Sequence, residues 1–123
     1  MTHIKILSFA PEAAECGMKI ADRLRGALVE RYQMGGDPSL TASSLSRLVQ
    51  QAMVDCDLIV LIADVDTAVR AVAPYIANSG YDPGVLCLDV PVNGVVQLLN
   101  SQKDEVKAAA VQIAELFRVP LIL

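Results

Sequence analysis

The stretch Asp57-Leu-Ile-Val-Leu-Ile-Ala-Asp-Val-Asp-Thr-Ala-Val-Arg-Ala-Val-Ala-Pro74 decides the fold. Leu58 to Ala63 is an unbroken aliphatic run. It is too short for a helix and predicts a strand buried on both faces. Asp64 ends the run and can cap the next element. Val65, Ala68, Val69, Val72 and Ala73 then recur at helical spacing, so that element is a helix. Pro74 breaks or kinks it, because the proline ring displaces an interior hydrogen bond. A buried strand feeding directly into a helix is half of a βαβ unit.

On the N-terminal side, Ile4 to Phe9 predicts a first strand. Pro11 suits the first position of a helix, with Glu12 in its first turn. Ala14, Met18, Ala21, Leu24 and Leu28 mark one face of that helix, which is expected to end near Glu30. Arg31 to Met34 predicts a brief strand, and Gly35-Gly36-Asp37-Pro38 a loop. Thr41, Ser43 or Ser44 caps a second helix with Leu45, Leu48, Val49, Ala52 and Met53 on its inner face.

On the C-terminal side, Asn78-Ser-Gly-Tyr-Asp-Pro-Gly reads as a loop. Val85 to Val90 is a third buried strand. Asn93-Gly94 is a strong hairpin signal, returning the chain as Val95 to Leu99. Ser101-x-x-Asp104 has the spacing of a capping box. Val106, Ala109, Ala110, Ile113, Leu116 and Phe117 form the stripe of a last helix, and Val119 to Leu123 closes as a short strand. The order predicts a three-layer α/β domain over residues 1–123. Its sheet is mostly parallel with one antiparallel hairpin element, and helices cover both faces.

The chain has 123 residues, 54% of them hydrophobic and only 4% aromatic, so the core must be aliphatic. Ten Lys and Arg stand against fourteen Asp and Glu, a net charge of −4. That balance argues against nucleic acid or an anionic membrane surface as partner. No apolar run reaches the roughly 18 residues of a membrane span. The opening segment lacks a signal-peptide pattern, so a cytoplasmic protein is expected. Cys16, Cys56 and Cys87 lack paired spacing and read as buried free thiols. His3, the single histidine, is expected in a solvated tail. With no Cys/His cluster, neither a metal site nor a cofactor is expected.

Ligands of such folds bind outside the carboxyl ends of the strands, an edge expected to carry Ser8, Phe9, Asp64 and Asp89. Asp64 and Asp66 flank a helix start. Two carboxylates there can bind a cation or act as a base and its partner, or simply cap the helix. Arg70 can grip a ligand carboxylate or pair within the chain. Ser101 starts the last helix, where capping alone accounts for it. Asp64 and Ser101 share a site only if the strand at Val85 runs antiparallel to that at Leu58.

Val69-Arg70-Ala-Val-Ala-Pro74, Asp82-Pro83, Asp89 and Leu98-Leu99, with Ser8-Phe9 after the first strand, resemble the N-terminal domain of the cobalt-precorrin-5A hydrolase family, cobalamin biosynthesis protein G. The resemblance runs from about Ile4 to Asn100. It implies an α/β fold. It also implies an activity, since members open a δ-lactone on ring A of a cobalt-corrinoid precursor and release acetaldehyde. The family's Gly-His-x-Gly-Gly-Ala-Asn segment would fall on Ser101 to Lys107. There this chain has Gln102 for the histidine and Asp104 and Glu105 for paired glycines, and Asp66 replaces a glycine at the earlier helix start. The Ser101–Asp104 box is expected to satisfy the helix N–H groups internally, and the two acids to repel an anion.

Two readings remain. In one, the chain is a stand-alone, non-catalytic binding or partner module of corrinoid or tetrapyrrole metabolism, with Ser8, Asp64, Arg70 and Ser101 as contacts to a precursor or pathway protein. In the other it remains a lactone hydrolase working through Asp64, Asp66 or Asp89. A homodimer through Tyr32 or the aliphatic C-terminus is a further expectation.

Overall fold

A computed structural model describes residues 2–8, 11–24, 28–33, 42–77 and 81–122. Six strands form one sheet: β1 (His3–Ser8), β2 (Leu28–Gln33), β3 (Leu58–Ile62), β4 (Gly84–Leu88), β5 (Val95–Leu99) and β6 (Leu121–Ile122). Their order is β2-β1-β3-β4-β5-β6. Every neighbouring pair is parallel except β4 with β5. The helices are α1 (Ala14–Arg23), entered through a 3-10 turn at Pro11–Ala13, α2 (Ala42–Asp55), α3 (Val65–Val72), which passes into a 3-10 turn at Ala73–Tyr75, and α4 (Asp104–Phe117). The expected α/β architecture, mostly parallel with one antiparallel pair, is the one observed.

Side-chain alternation along the strands sorts the core into two layers. Ile4, Ile6, Val60, Ile62, Leu86 and Leu88 pack with Ile20 of α1 and with Val106 and Ile113 of α4. Leu7, Ile59, Leu61, Val85 and Cys87 pack with Val49 and Met53 of α2 and with Ala68 and Val72 of α3. All five residues of β3 are at most 2% exposed. This is why its run is continuously apolar, and each such side chain contributes about 1.5–3 kcal/mol over an exposed one. No helix among the described residues is long and apolar enough to cross a membrane.

The Pro11 helix stops at Arg23, not near Glu30, with the Leu24 N–H closing onto the Ile20 carbonyl. Leu28 shares the helix's apolar spacing, yet it opens β2 and pairs with His3, its N–H donating to the Thr2 carbonyl at 2.9 Å. Pairing with a distant strand overrides local periodicity here. Ser43 and Ser44 lie inside α2 and so do not cap it. Phe9, Met34, residues 35–38, Thr41 and residues 78–80 lie outside the described residues.

The β4–β5 hairpin forms, but not through a two-residue Asn93-Gly94 turn. Residues 89–94 make the link, with a cis Val90–Pro91 bond. Gly94 has a packing role instead. A Cβ there would meet Ile122 Cδ1 of β6 at 2.5 Å.

The Ser101–Asp104 capping box does not form. The box would make Ser101 the N-cap. Instead Lys103 is the N-cap, with no side-chain cap, and α4 begins at Asp104. Asn100 takes a left-handed conformation (φ 52°). Its Nδ2 donates to the Asp82 carbonyl at 3.0 Å, and Lys103 Nζ donates to the same oxygen at 2.7 Å. These ties, across some twenty residues of chain, set the start of α4 and displace the local motif. Asp104 and Glu105 do occupy the exposed first turn.

Candidate functional site

The chain leaves β1 towards β2 and leaves β3 towards β4, on opposite faces. Beside the carboxyl ends of these two strands the helices therefore diverge and leave a crevice. A cleft of ≈ 270 Å³ lies there. Glu12 and Ala13 reach it from the turn before α1, Ala63, Asp64 and Thr67 from the β3–α3 junction, and Asp89 and Val90 from the end of β4. A second hollow, ≈ 210 Å³, shares Asp64 and Asp89 and adds Val65, Val96 and Ile122 among its walls.

Asp64 is the N-cap of α3. Its Oδ1 accepts the Thr67 N–H at 2.7 Å. Hydrogen bonds from the Thr67 backbone and side chain hold the carboxyl below the usual carboxylate range. A general base works best with a pKa near the working pH, and this shift moves Asp64 away from it. Asp89 Oδ1 accepts the N–H of Val90 at 2.8 Å. The cleft thus presents Glu12, Asp64 and Asp89, with no Lys, Arg or His among the described residues that line it.

The other candidates lie elsewhere. Ser8 ends β1 but is only 4% exposed, and its Oγ lies beneath Gly17 of α1, 3.3 Å from where a Cβ would stand. Asp66 pairs with Arg70, whose Nε is 3.1 Å from Oδ2, both side chains being largely in solvent. Arg70 lines neither hollow. Ser101 comes after β5. Because β4 runs parallel to β3 and β5 antiparallel, Ser101 and Asp64 stand at opposite edges of the sheet. A five-residue strand separates those edges by about 17 Å. Asp64 and Asp89 therefore come together, and Ser8, Asp64, Arg70 and Ser101 do not form one site.

Among the described residues no group of three or more His, Cys, Asp or Glu is arranged to hold a metal ion. Burial pushes Cys16 and Cys87 up to about 11 and Cys56 to about 12, so all three are protonated thiols at neutral pH.

Two features are not evident from sequence. Glu12 belongs to the cleft, and its position just after the first strand was the available signal. His3 is not in a solvated tail. It pairs into β1, its Nε2 lies 2.7 Å from Glu30 Oε1, and its Nδ1 lies 3.0 Å from the Asp55 carbonyl. Its backbone N–H donates to Asp57 Oδ2 at 2.8 Å. Beside it Lys5, 5% exposed, pairs with Asp55 Oδ1 at 2.9 Å. The alternation His3-Ile4-Lys5-Ile6 was the only local hint that these two polar residues share a face.

The fold and cleft define a doubly wound α/β domain whose switch-point crevice is acidic. The sequence model of the family described as cobalamin synthesis G N-terminal matches residues 47–123. That is well over half of the chain, which therefore belongs to this family. The match leaves Ser8 and the first two strands outside it. Among solved structures the chain is similar to one described as a homolog of cobalamin biosynthesis protein G from Sulfolobus solfataricus, with a TM-score of 0.74 and 21% sequence identity. The alignment covers 98% of this chain and 36% of that one. No curated protein matches the chain.

Proposed function

We propose that this chain is a non-catalytic partner module of corrinoid synthesis, one that binds another protein of the pathway instead of opening the lactone itself. The supporting observation is the placement of charge. Among the described residues, the cleft where such folds bind ligands carries three carboxylates and no cation. The chain's one histidine stands at the opposite edge, engaged with Glu30 and Asp55. Lactone hydrolysis needs a positioned base or a metal-bound water. A corrin precursor bearing many carboxylates needs cations to hold it.

The test is to incubate the purified chain with cobalt-precorrin-5A and follow acetaldehyde release. The expected result is release no faster than in a protein-free control. Release that is lost in Asp64→Asn or Asp89→Asn would replace this reading with a hydrolase one.

A further inference from the structure

The two faces of the sheet are not covered alike. On one, α4 packs over β4, β5 and β6, its Val106, Ala110 and Ile113 gathering with Val95. On the other, α3 packs Ala68 and Val72 onto the central strands. Beyond α3, Val96 and Leu98 of β5 remain partly exposed, and Ile122 of β6 is 44% exposed. α3 adds Val65 and Val69 as a second wall, 45% and 44% exposed and one turn apart on the same side of the helix. Val65, Val96 and Ile122 meet in the ≈ 210 Å³ hollow. Sheets of this kind ordinarily have helices over both faces. The span of two strands is about 10 Å, the diameter of one helix.

Charge indicates what fits. The ten described residues lining the hollow include Asp64 and Asp89 and no Lys, Arg or His. The cation of α3, Arg70, is held by Asp66. The apolar trough therefore ends in two carboxylates at the carboxyl edge.

We propose that this trough, with Val65 and Val69 on one side and Val96, Leu98 and Ile122 as its floor, docks an amphipathic helix of a partner protein that carries Lys or Arg where it passes Asp64 and Asp89. Apolar anchors spaced one turn apart supply affinity in such helix-in-groove contacts, and the charges set orientation. The proposal rests on the partner-module reading for its setting, and its test is independent of lactone turnover.

The probes are two helical peptides with the same leucine stripe, one with lysines and one with glutamates at its polar positions. Each is titrated into the ¹⁵N-labelled full chain. The lysine peptide is expected to shift amides of α3, β5 and β6, saturably and more weakly at higher salt. The glutamate peptide is expected to bind at least tenfold more weakly. Val69→Asp and Ile122→Asp, both at exposed positions, are expected to weaken binding at least tenfold with an otherwise unchanged amide spectrum. Asp89→Asn should weaken it several-fold. Val54→Asp, at an 80% exposed position outside the trough, should leave it unchanged. Equal binding of the two peptides, or shifts confined to other surfaces, would overturn the proposal. So would a dimer in light scattering that Val69→Asp dissociates, since a second copy would then be the occupant.

Discussion

The two edges of the sheet are built on opposite plans. At the edge where β1 and β3 begin, His3, Lys5, Glu30, Asp55 and Asp57 close on one another and on backbone groups within about hydrogen-bonding distance, and Gln51 donates to Asp55 at 3.0 Å. At the edge where those strands end, Glu12, Asp64 and Asp89 face open hollows, and the hydrogen bonds to Asp64 and Asp89 come from residues within three positions in the chain, Thr67 and Val90. Polar groups that saturate one another over long sequence separations hold a fold together. Carboxylates left facing a cavity are available to something else.

Glycine substitutions test this contrast most severely. A Cβ on Gly84, at the start of β4, would collide with the β-branched side chain of buried Val106. Gly84→Ala is expected to cost about 2–3 kcal/mol, read from urea unfolding. Gly94→Ala, at the other edge, meets the flexible, exposed end of Ile122 and should cost under about 1 kcal/mol. Equal costs would break the comparison.

Asp55→Asn comes next. Burial raises the Asp55 pKa, but hydrogen bonds from Gln51 and Lys5 and the Lys5 charge outweigh it, and the net shift is downward. A lowered folded pKa means that this stabilisation is complete above the unfolded value, about 4, and is lost as pH falls through the folded one. The wild type should therefore lose stability on acidification more steeply than Asp55→Asn. At neutral pH the variant should be about 1–2 kcal/mol less stable, the carboxylate being partly exposed. Parallel pH profiles for the two would remove Asp55 from the account.

Asp89→Asn, facing the cleft, should change unfolding free energy by no more than about 0.5 kcal/mol. Arg70→Ala, which removes an exposed i,i+4 pair, should have the smallest effect, a few tenths of a kcal/mol at most. A larger loss in Asp89→Asn would give the carboxyl edge a structural role, and a larger one in Arg70→Ala would give its pair with Asp66 one.

Much of this architecture could be read in the chain. The run Leu58 to Ala63 called for a strand buried on both faces, Asp64 could cap the next helix, Pro74 could break it, and Val106, Ala109, Ala110, Ile113, Leu116 and Phe117 made the inward stripe of α4, because each is read from neighbours within a few residues. The antiparallel return of β5 was legible too, though its turn was not. The hidden features depend on distant groups. Leu28 is a strand residue because β1 lies beside it. Lys103 heads α4 because the Asp82 carbonyl anchors it and Asn100. His3 is ordered by partners 27 and 52 residues away. For the candidate site, Asp64 and Asp89 were foreseeable as strand-end residues. The separation of Ser101 from Asp64 was not, since it turns on the direction of β4.

The reversed strand β5 has one more consequence. In a sheet wholly parallel, every covering helix would point its partly positive amino end at the carboxyl edge. Because β5 runs backwards, α4 is turned round and delivers its carbonyl end there, with Phe117 bordering a hollow shared with Val90 and Glu12. Arg118, left-handed at φ 55°, returns its N–H to the Ala114 and Glu115 carbonyls. The macrodipole of this helix places roughly half a negative charge at that end. That carbonyl end offsets part of the positive charge that the amino ends of α1 and α3 bring to the same edge.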